Sequence, residues 1–282
     1  MHDTPSGPIS LLGVALDANS SHLRGCAAGP DAIRAALASS SSNGSAESSV
    51  EVLSMLDDRG DVAIDNERAS ESDADAITDA VGRQLDAGRQ VITLGGDHSI
   101  TYPILRAFRD RREPSPGRDG APGPLTVVHV DAHPDIYDDL DGNRLSHASP
   151  FARALEEGCA SRLVQLGIRT ATPHQRDQGA RWDVQMVSPR ELDRFDASAL
   201  TGPIYLSIDL DGLDPSVAPG VSHHEPGGLT VREVLDVIDA HPGPLLGADV
   251  VELNPSRDLV GMTAMVAAKL VKEVAAAMSV RR

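Results

Sequence analysis

Long apolar runs are missing from this sequence: no stretch approaches the roughly 20 consecutive apolar residues needed to cross a bilayer, so no membrane-spanning helix is expected. Cysteine is nearly absent too. Cys26 and Cys159 are too few for a disulfide framework and read as buried thiols. Aromatic side chains make up only 2%, which leaves the core to Ala, Val, Leu and Ile. Positive charge is short: 25 Lys and Arg face 42 Asp and Glu, for a net charge of -17, and lysine occurs only at Lys269 and Lys272. Such a chain repels phosphate backbones and anionic membranes, which argues against nucleic acid or a membrane as partner. A small cationic substrate is instead attracted. The opening Met1-His2-Asp3-Thr4-Pro5 lacks a basic segment followed by an apolar one, so no secretory signal is read and a cytoplasmic location is expected.

The 282 residues hold short, continuous apolar runs: Ile9 to Val14, Gln90 to Leu94, Leu125 to Val130, Arg162 to Ile168, Ile204 to Ile208 and Leu245 to Val251. Runs of this length without polar alternation predict strands buried on both faces, as in a parallel sheet. Helical patterns lie between them, at Pro30 to Leu37, Asp73 to Ala87, Tyr102 to Arg109, Pro150 to Glu157, Thr230 to Ile238 and Met262 to Met278. Thr230 with Glu233 three residues on has capping-box spacing. The alternation predicts an α/β fold with a mostly parallel central sheet. The serine-rich stretch 38–49 and the Pro-, Gly- and Arg-rich stretch 110–124 read as flexible loops. Because related chemistry flanks the second stretch, residues 1–282 are expected to form one domain.

That chemistry follows the strands. Gly95-Gly96-Asp97-His98-Ser99 comes after one, Asp131-Ala132-His133-Pro134-Asp135 after the next, and Asp209-Leu210-Asp211 after a third. In an open α/β sheet the carboxyl ends of strands line the ligand crevice, so the three clusters are expected to meet. Asp131, His133 and Asp135 alternate, as do Asp209 and Asp211, and alternate residues of an extended segment face one side. One buried histidine at a strand end is ordinarily a hydrogen-bonded core residue, and Asp-Leu-Asp-Gly alone is an ordinary turn. Two imidazoles and four carboxylates converging from three strands are a different matter. Without cations the carboxylates repel one another, and two divalent ions sharing carboxylates relieve the repulsion. Oxygen-rich donors with imidazole and no thiolate suit Mn(II), with Fe, Co, Ni or Zn less favoured.

These motifs, with Ser146-His147-Ala148-Ser149-Pro150 and the Asp-Leu-Asp-Gly-Leu-Asp-Pro run from Asp209, resemble the ureohydrolase family of arginases and agmatinases. The resemblance extends from Leu11 to Val266 and is nearest the plant-type arginases, through Asn19-Ser20-Ser21, Gly142-Asn143 and the run from Ser222 to Gly228. It implies a three-layer α/β/α fold, a homotrimer or homohexamer, and hydrolysis of a guanidinium group to urea and an amine. Arginine is the expected substrate, agmatine or another guanidino compound the alternative, and a non-catalytic scaffold subunit the remote one. It also implies that His98, Asp131, Asp135 and Asp209 hold one manganese and Asp131, His133, Asp209 and Asp211 the other. By the same resemblance Glu252 pairs with the guanidinium and His147 supplies a proton to the departing amine, while Asp135, a ligand whose other oxygen can accept a hydrogen bond, is expected to orient the attacking water. Animal-type arginases place an acidic pair on the loop that here reads Arg169-Thr170-Ala171-Thr172-Pro173-His174-Gln175, without those acids. Asn143 is therefore the candidate contact for an α-carboxylate.

Overall fold

The computed structural model describes residues 9–67, 70–112, 124–200 and 202–280. Among the described residues eight strands form one sheet: β1 (Ile9–Val14), β2 (Leu56–Asp61), β3 (Val91–Gly95), β4 (Thr126–Val130), β5 (Arg162–Leu166), β6 (Gln185–Val187), β7 (Ile204–Asp209) and β8 (Leu245–Val251). Their order is β2-β1-β3-β8-β7-β4-β5-β6, and every pairing is parallel. The described residues also form seven α-helices: α1 (Gly29–Leu37), α2 (Glu71–Asp86), α3 (Thr101–Arg111), α4 (Pro150–Glu156), α5 (Pro173–Arg181), α6 (Val231–Ala240) and α7 (Met262–Val280).

Successive strand residues face opposite sides, and both sides are apolar, so helices must cover both. Ile92, Val128 and Leu206 join Ile33 of α1, Leu235 of α6 and Leu270 of α7 in one core. Their neighbours Val91, Val127 and Tyr205 join Ile77 of α2, Ile104 and Phe108 of α3 and Phe151 of α4 in the other. The fold is thus three-layered α/β/α, as expected. Thr230 and Glu233 close the capping box of α6: the Thr230 amide donates to Glu233 Oε2 at 2.7 Å and the Glu233 amide donates to Thr230 Oγ1 at 3.2 Å.

Two strands and one helix escape the sequence reading. The edge strand β2 is Leu-Asp-Asp-Arg-Gly-Asp, with no apolar run, and β6 at the other edge has three residues. Charge and brevity keep edge strands from pairing further, and they also erase the pattern that marks a strand. Helix α5 is a mostly polar surface helix. The serine-rich stretch 38–49 is irregular and tied to α7: Lys272 Nζ donates to Asn43 O at 3.0 Å, and the Glu47 amide donates to Glu273 Oε1 at 2.9 Å. Of the stretch 110–124, residues 113–123 lie outside the described residues, and α3 runs through Arg111.

The four contiguous strands β3, β8, β7 and β4 matter most for function. Each ends in a chemically active residue, so one edge of the sheet gathers His98, Glu252, Asp209 and Asp131.

Candidate metal centre and pocket

His98 begins a 3-10 turn after β3, whose preceding Asp97 accepts the Ser99 amide at 3.1 Å. The approach is tight. A Cβ on Gly96 would sit 2.4 Å from Leu16 O and 2.6 Å from Val14 O, so only glycine fits there. Behind His98, fully buried Asp249 on β8 accepts from Ser207 Oγ at 2.6 Å, Tyr205 Oη at 2.7 Å and Thr101 Oγ1 at 3.0 Å. Ser207 has thereby committed its proton and must accept from His98 Nε2, 2.9 Å away. The imidazole proton is fixed on Nε2, leaving a bare lone pair on Nδ1.

That lone pair faces three oxygens. Nδ1 of His98 lies 3.1 Å from each of Asp131 Oδ2, Asp135 Oδ2 and Asp209 Oδ2, and it is aligned for a hydrogen bond with none of them. A second set adjoins the first: His133 Nδ1 lies 3.1 Å from Asp211 Oδ2 and 3.4 Å from Asp131 Oδ1. Within each set one donor atom per residue falls inside 4.8 Å of the others, which is metal-ligating geometry. Asp131 belongs to both sets. Asp209 appears only in the first, because its Oδ1 accepts the Asp211 amide at 2.7 Å and caps the 3-10 turn at Leu210–Gly212.

The electrostatics match a cation-binding cluster. Burial, followed by the charges of Asp211 and Asp131, pushes Asp209 well above the usual carboxylate range. Burial and Asp131 push Asp211 up to about 7. Burial lowers the His98 pKa, yet Asp131, Asp135 and Asp209 carry it well above its ordinary value. These groups hold more negative charge than their neighbours neutralise, a condition that a bound cation relieves.

Glu252 follows β8 with φ 65, a left-handed backbone that non-glycine residues rarely adopt. The bend turns its carboxylate over the strand ends. Oε1 accepts the His98 amide at 3.0 Å and faces His147 Nδ1 at 3.1 Å, while Oε2 accepts from Cys26 Sγ at 3.1 Å. Burial raises the Glu252 pKa, but His147, Cys26 and the His98 amide hold it down at about 2, so the group is ionised at neutral pH. Burial lowers the His147 pKa and Glu252 raises it to about 9. The Ser21 amide opposes that rise, since it donates to His147 Nε2 at 3.2 Å and a second proton there would meet a donor. Ser21 Oγ lies 2.8 Å from the same nitrogen.

His133, Asp135, His147, Asp209, Asp211 and Glu252 all line one pocket of about 280 Å³. His223 lines it too, stacked on His147 at 5.4 Å between ring centroids. Asn143 is not among the lining residues: its Oδ1 accepts the Leu145 amide at 2.9 Å and its Nδ2 lies 3.4 Å from Asn19 Oδ1. Sequence reasoning missed several supports. His129 Nε2 lies 2.7 Å from Asp131 Oδ2 and its Nδ1 accepts from Gln165 Nε2 at 3.0 Å, orienting the shared carboxylate. Its signal was present, since His129 precedes Asp131 by the same two-residue step that links Asp131 to His133. Cys26 gave none, because its partner Glu252 lies far away in the chain.

A model of the Arginase family matches residues 8–277. The chain is 43% identical over 285 residues to Arginase 1, mitochondrial, of Arabidopsis thaliana, covering 96% of this chain and 81% of that one. It is 34% identical over 280 residues to the mitochondrial agmatinase of Gallus gallus, covering 94% and 79%. Among solved structures, an arginase from Medicago truncatula superposes with a TM-score of 0.88 at 42% identity, over 97% of this chain and 88% of that one. The cytoplasmic location expected above is corrected by these relatives. Plant arginases of Arabidopsis, rice and Medicago are named mitochondrial, and a second from Arabidopsis chloroplastic/mitochondrial. The lack of a secretory pattern bears only on export and does not address organelle import.

Proposed function

Because the chain belongs to the arginase family, we propose that this hydrolase of guanidino compounds converts L-arginine and water to L-ornithine and urea. Glu252 carries the reading: it is a buried carboxylate, held ionised, on the wall of a pocket whose floor is the donor cluster. A planar guanidinium is the cation that a carboxylate matches with paired hydrogen bonds. Agmatine is the second reading, favoured by the loop from Arg169 to Gln175, which carries no acid for an α-ammonium group.

The donor cluster fits divalent cations, since His98 Nδ1 faces three carboxylate oxygens and is aligned for a hydrogen bond with none of them. His98, Asp131, Asp135 and Asp209 would hold one ion, and Asp131, His133 and Asp211 the other. Their oxygen and imidazole donors suit Mn(II). When bound, such a pair lowers the pKa of water toward neutrality and so supplies a nucleophile strong enough for a resonance-stabilised guanidinium carbon. The remaining work falls to the chain itself. Glu252 orients the guanidinium and balances its charge. Asp135 commits one oxygen toward His98 and keeps the other to accept a hydrogen bond from the attacking water. His147, with Nδ1 fixed by Glu252, passes a proton to the departing amine. A homotrimer or homohexamer belongs to the same proposal, and sedimentation equilibrium tests it.

Urea release from arginine, agmatine and guanidinobutyrate after manganese loading tests the assignment, with arginine expected to be the best substrate. Silence on all three would favour a non-catalytic subunit. Glu252→Gln keeps the shape but removes the charge, and charge-assisted hydrogen bonds contribute about 1.5–3 kcal/mol. The expected result is a fall in kcat/KM for arginine of about 10- to 100-fold. An unchanged kcat/KM would remove Glu252 from guanidinium recognition.

A further inference from the structure

Arg169 stands just past β5 and is not itself a lining residue of the pocket. Its guanidinium is engaged with backbone carbonyls. Nε donates to Glu225 O at 2.8 Å, and Nη1 donates to Gly212 O at 3.1 Å and to Gly167 O at 3.2 Å. Nη2 donates to Glu225 O at 2.5 Å, Asp211 O at 2.6 Å and Leu213 O at 3.3 Å. The planar fork of an arginine thus gathers five carbonyls from three segments of chain, which no other side chain has the donors to do. Two of those segments matter for the site. Residues 210–212 form the 3-10 turn that presents Asp211, and Glu225 belongs to the run from Ser222 to Gly228 that brings His223 to the pocket wall.

The same residue closes a circuit around the cation position of His133 and Asp211. The Arg169 amide donates to Ala132 O at 3.0 Å, the Ala132 amide donates to Asp211 Oδ1 at 3.1 Å, and Arg169 Nη2 returns to Asp211 O. With Oδ1 held by Ala132, Asp211 offers Oδ2 toward His133 Nδ1, 3.1 Å away. The turn also packs directly on the shared donor, since a Cβ on Gly212 would sit 2.8 Å from the Asp131 nitrogen. No bond of the guanidinium reaches His98, Asp135 or Asp209. Groups that orient a metal's ligands from behind change its affinity by about 10- to 100-fold. We infer that Arg169 is a positioning residue for one cation position: by fixing the 210–212 turn it sets the affinity at His133 and Asp211 and leaves the position at His98 as it is. The inference rests on the reading of the donor cluster as two cation positions.

Arg169→Lys keeps the charge, but a single ammonium cannot span five carbonyls. Arg169→Gln keeps a planar donor group without the charge. Manganese-loaded parent and variants are dialysed against a series of buffered manganese concentrations, and the ions retained per chain are counted beside the electron paramagnetic resonance spectrum. Two Mn(II) ions sharing one carboxylate couple magnetically, whereas one ion alone gives the hyperfine pattern of isolated Mn(II). The parent is expected to hold two ions with the coupled spectrum. As manganese falls, each variant is expected to release one ion at a concentration about 10- to 100-fold higher than the parent does and to show the isolated pattern below it. Raising manganese should restore both the coupled spectrum and urea release. Anomalous peak heights in that range should show the retained ion beside His98 and the missing one beside His133 and Asp211. Loss of both ions together, loss from the His98 position first, unchanged retention, or failure of both variants to fold would overturn the role given to Arg169. A parent that holds no manganese would instead overturn the pair of cation positions and this inference with it.

Discussion

Asp131→Ala is expected to empty both cation positions and to lower hydrolysis by more than three orders of magnitude, to the limit set by the protein's own groups. Asp131 is the one residue common to both donor sets, with Oδ2 turned to His98 and Oδ1 to His133. Its orientation is fixed from behind by His129, which holds its proton on Nε2 because Gln165 donates to Nδ1. Alanine removes both oxygens at once and leaves His129 facing an empty space. Asp209→Ala removes a donor from the first set only, together with the cap on the turn that presents Asp211. It should therefore lose metal as well, but from one position first. Metal content and urea release are read on the same preparation, and retention of two ions per chain by Asp131→Ala would refute its shared role.

His147→Asn is expected to keep the metal content of the parent and to slow turnover by about two to four orders of magnitude, the range for loss of a general acid. Nothing in the donor sets includes His147. Its imidazole spans from Glu252 Oε1 to Ser21, so asparagine can keep one of those contacts but cannot carry a proton near neutral pH. The loss should fall on kcat more than on KM, because Glu252 still holds the guanidinium. An unchanged rate would take His147 out of the proton transfer, and a parallel loss of metal would make it a structural support.

The central strands were legible because a strand buried on both faces must be written in apolar residues. The runs at Ile9, Gln90, Leu125, Arg162, Ile204 and Leu245 all became strands within a residue or two of their expected limits. The edges were not legible, since β2 is mostly acidic and β6 is short. The donors announced themselves by standing immediately after strands, where parallel topology leaves little choice of direction. Their supports did not. The chain from Asp249 through Ser207 to His98 joins residues more than a hundred positions apart in sequence, as does the bond from Cys26 to Glu252. Arg169 illustrates a middle case: its place directly after an apolar run is written in the sequence, but the carbonyls it gathers from Asp211 and Glu225 appear only once the chain has folded.

The central claim is that the ends of β3, β4 and β7 deliver oxygen and imidazole donors to a pair of divalent cations. Anomalous diffraction at the manganese edge, on crystals of manganese-loaded active protein, tests it most directly. The account predicts two anomalous peaks per chain flanking Asp131, one against His98, Asp135 and Asp209 and the other against His133 and Asp211. Urea-releasing crystals with no peak there, or with both ions bound elsewhere, would contradict it.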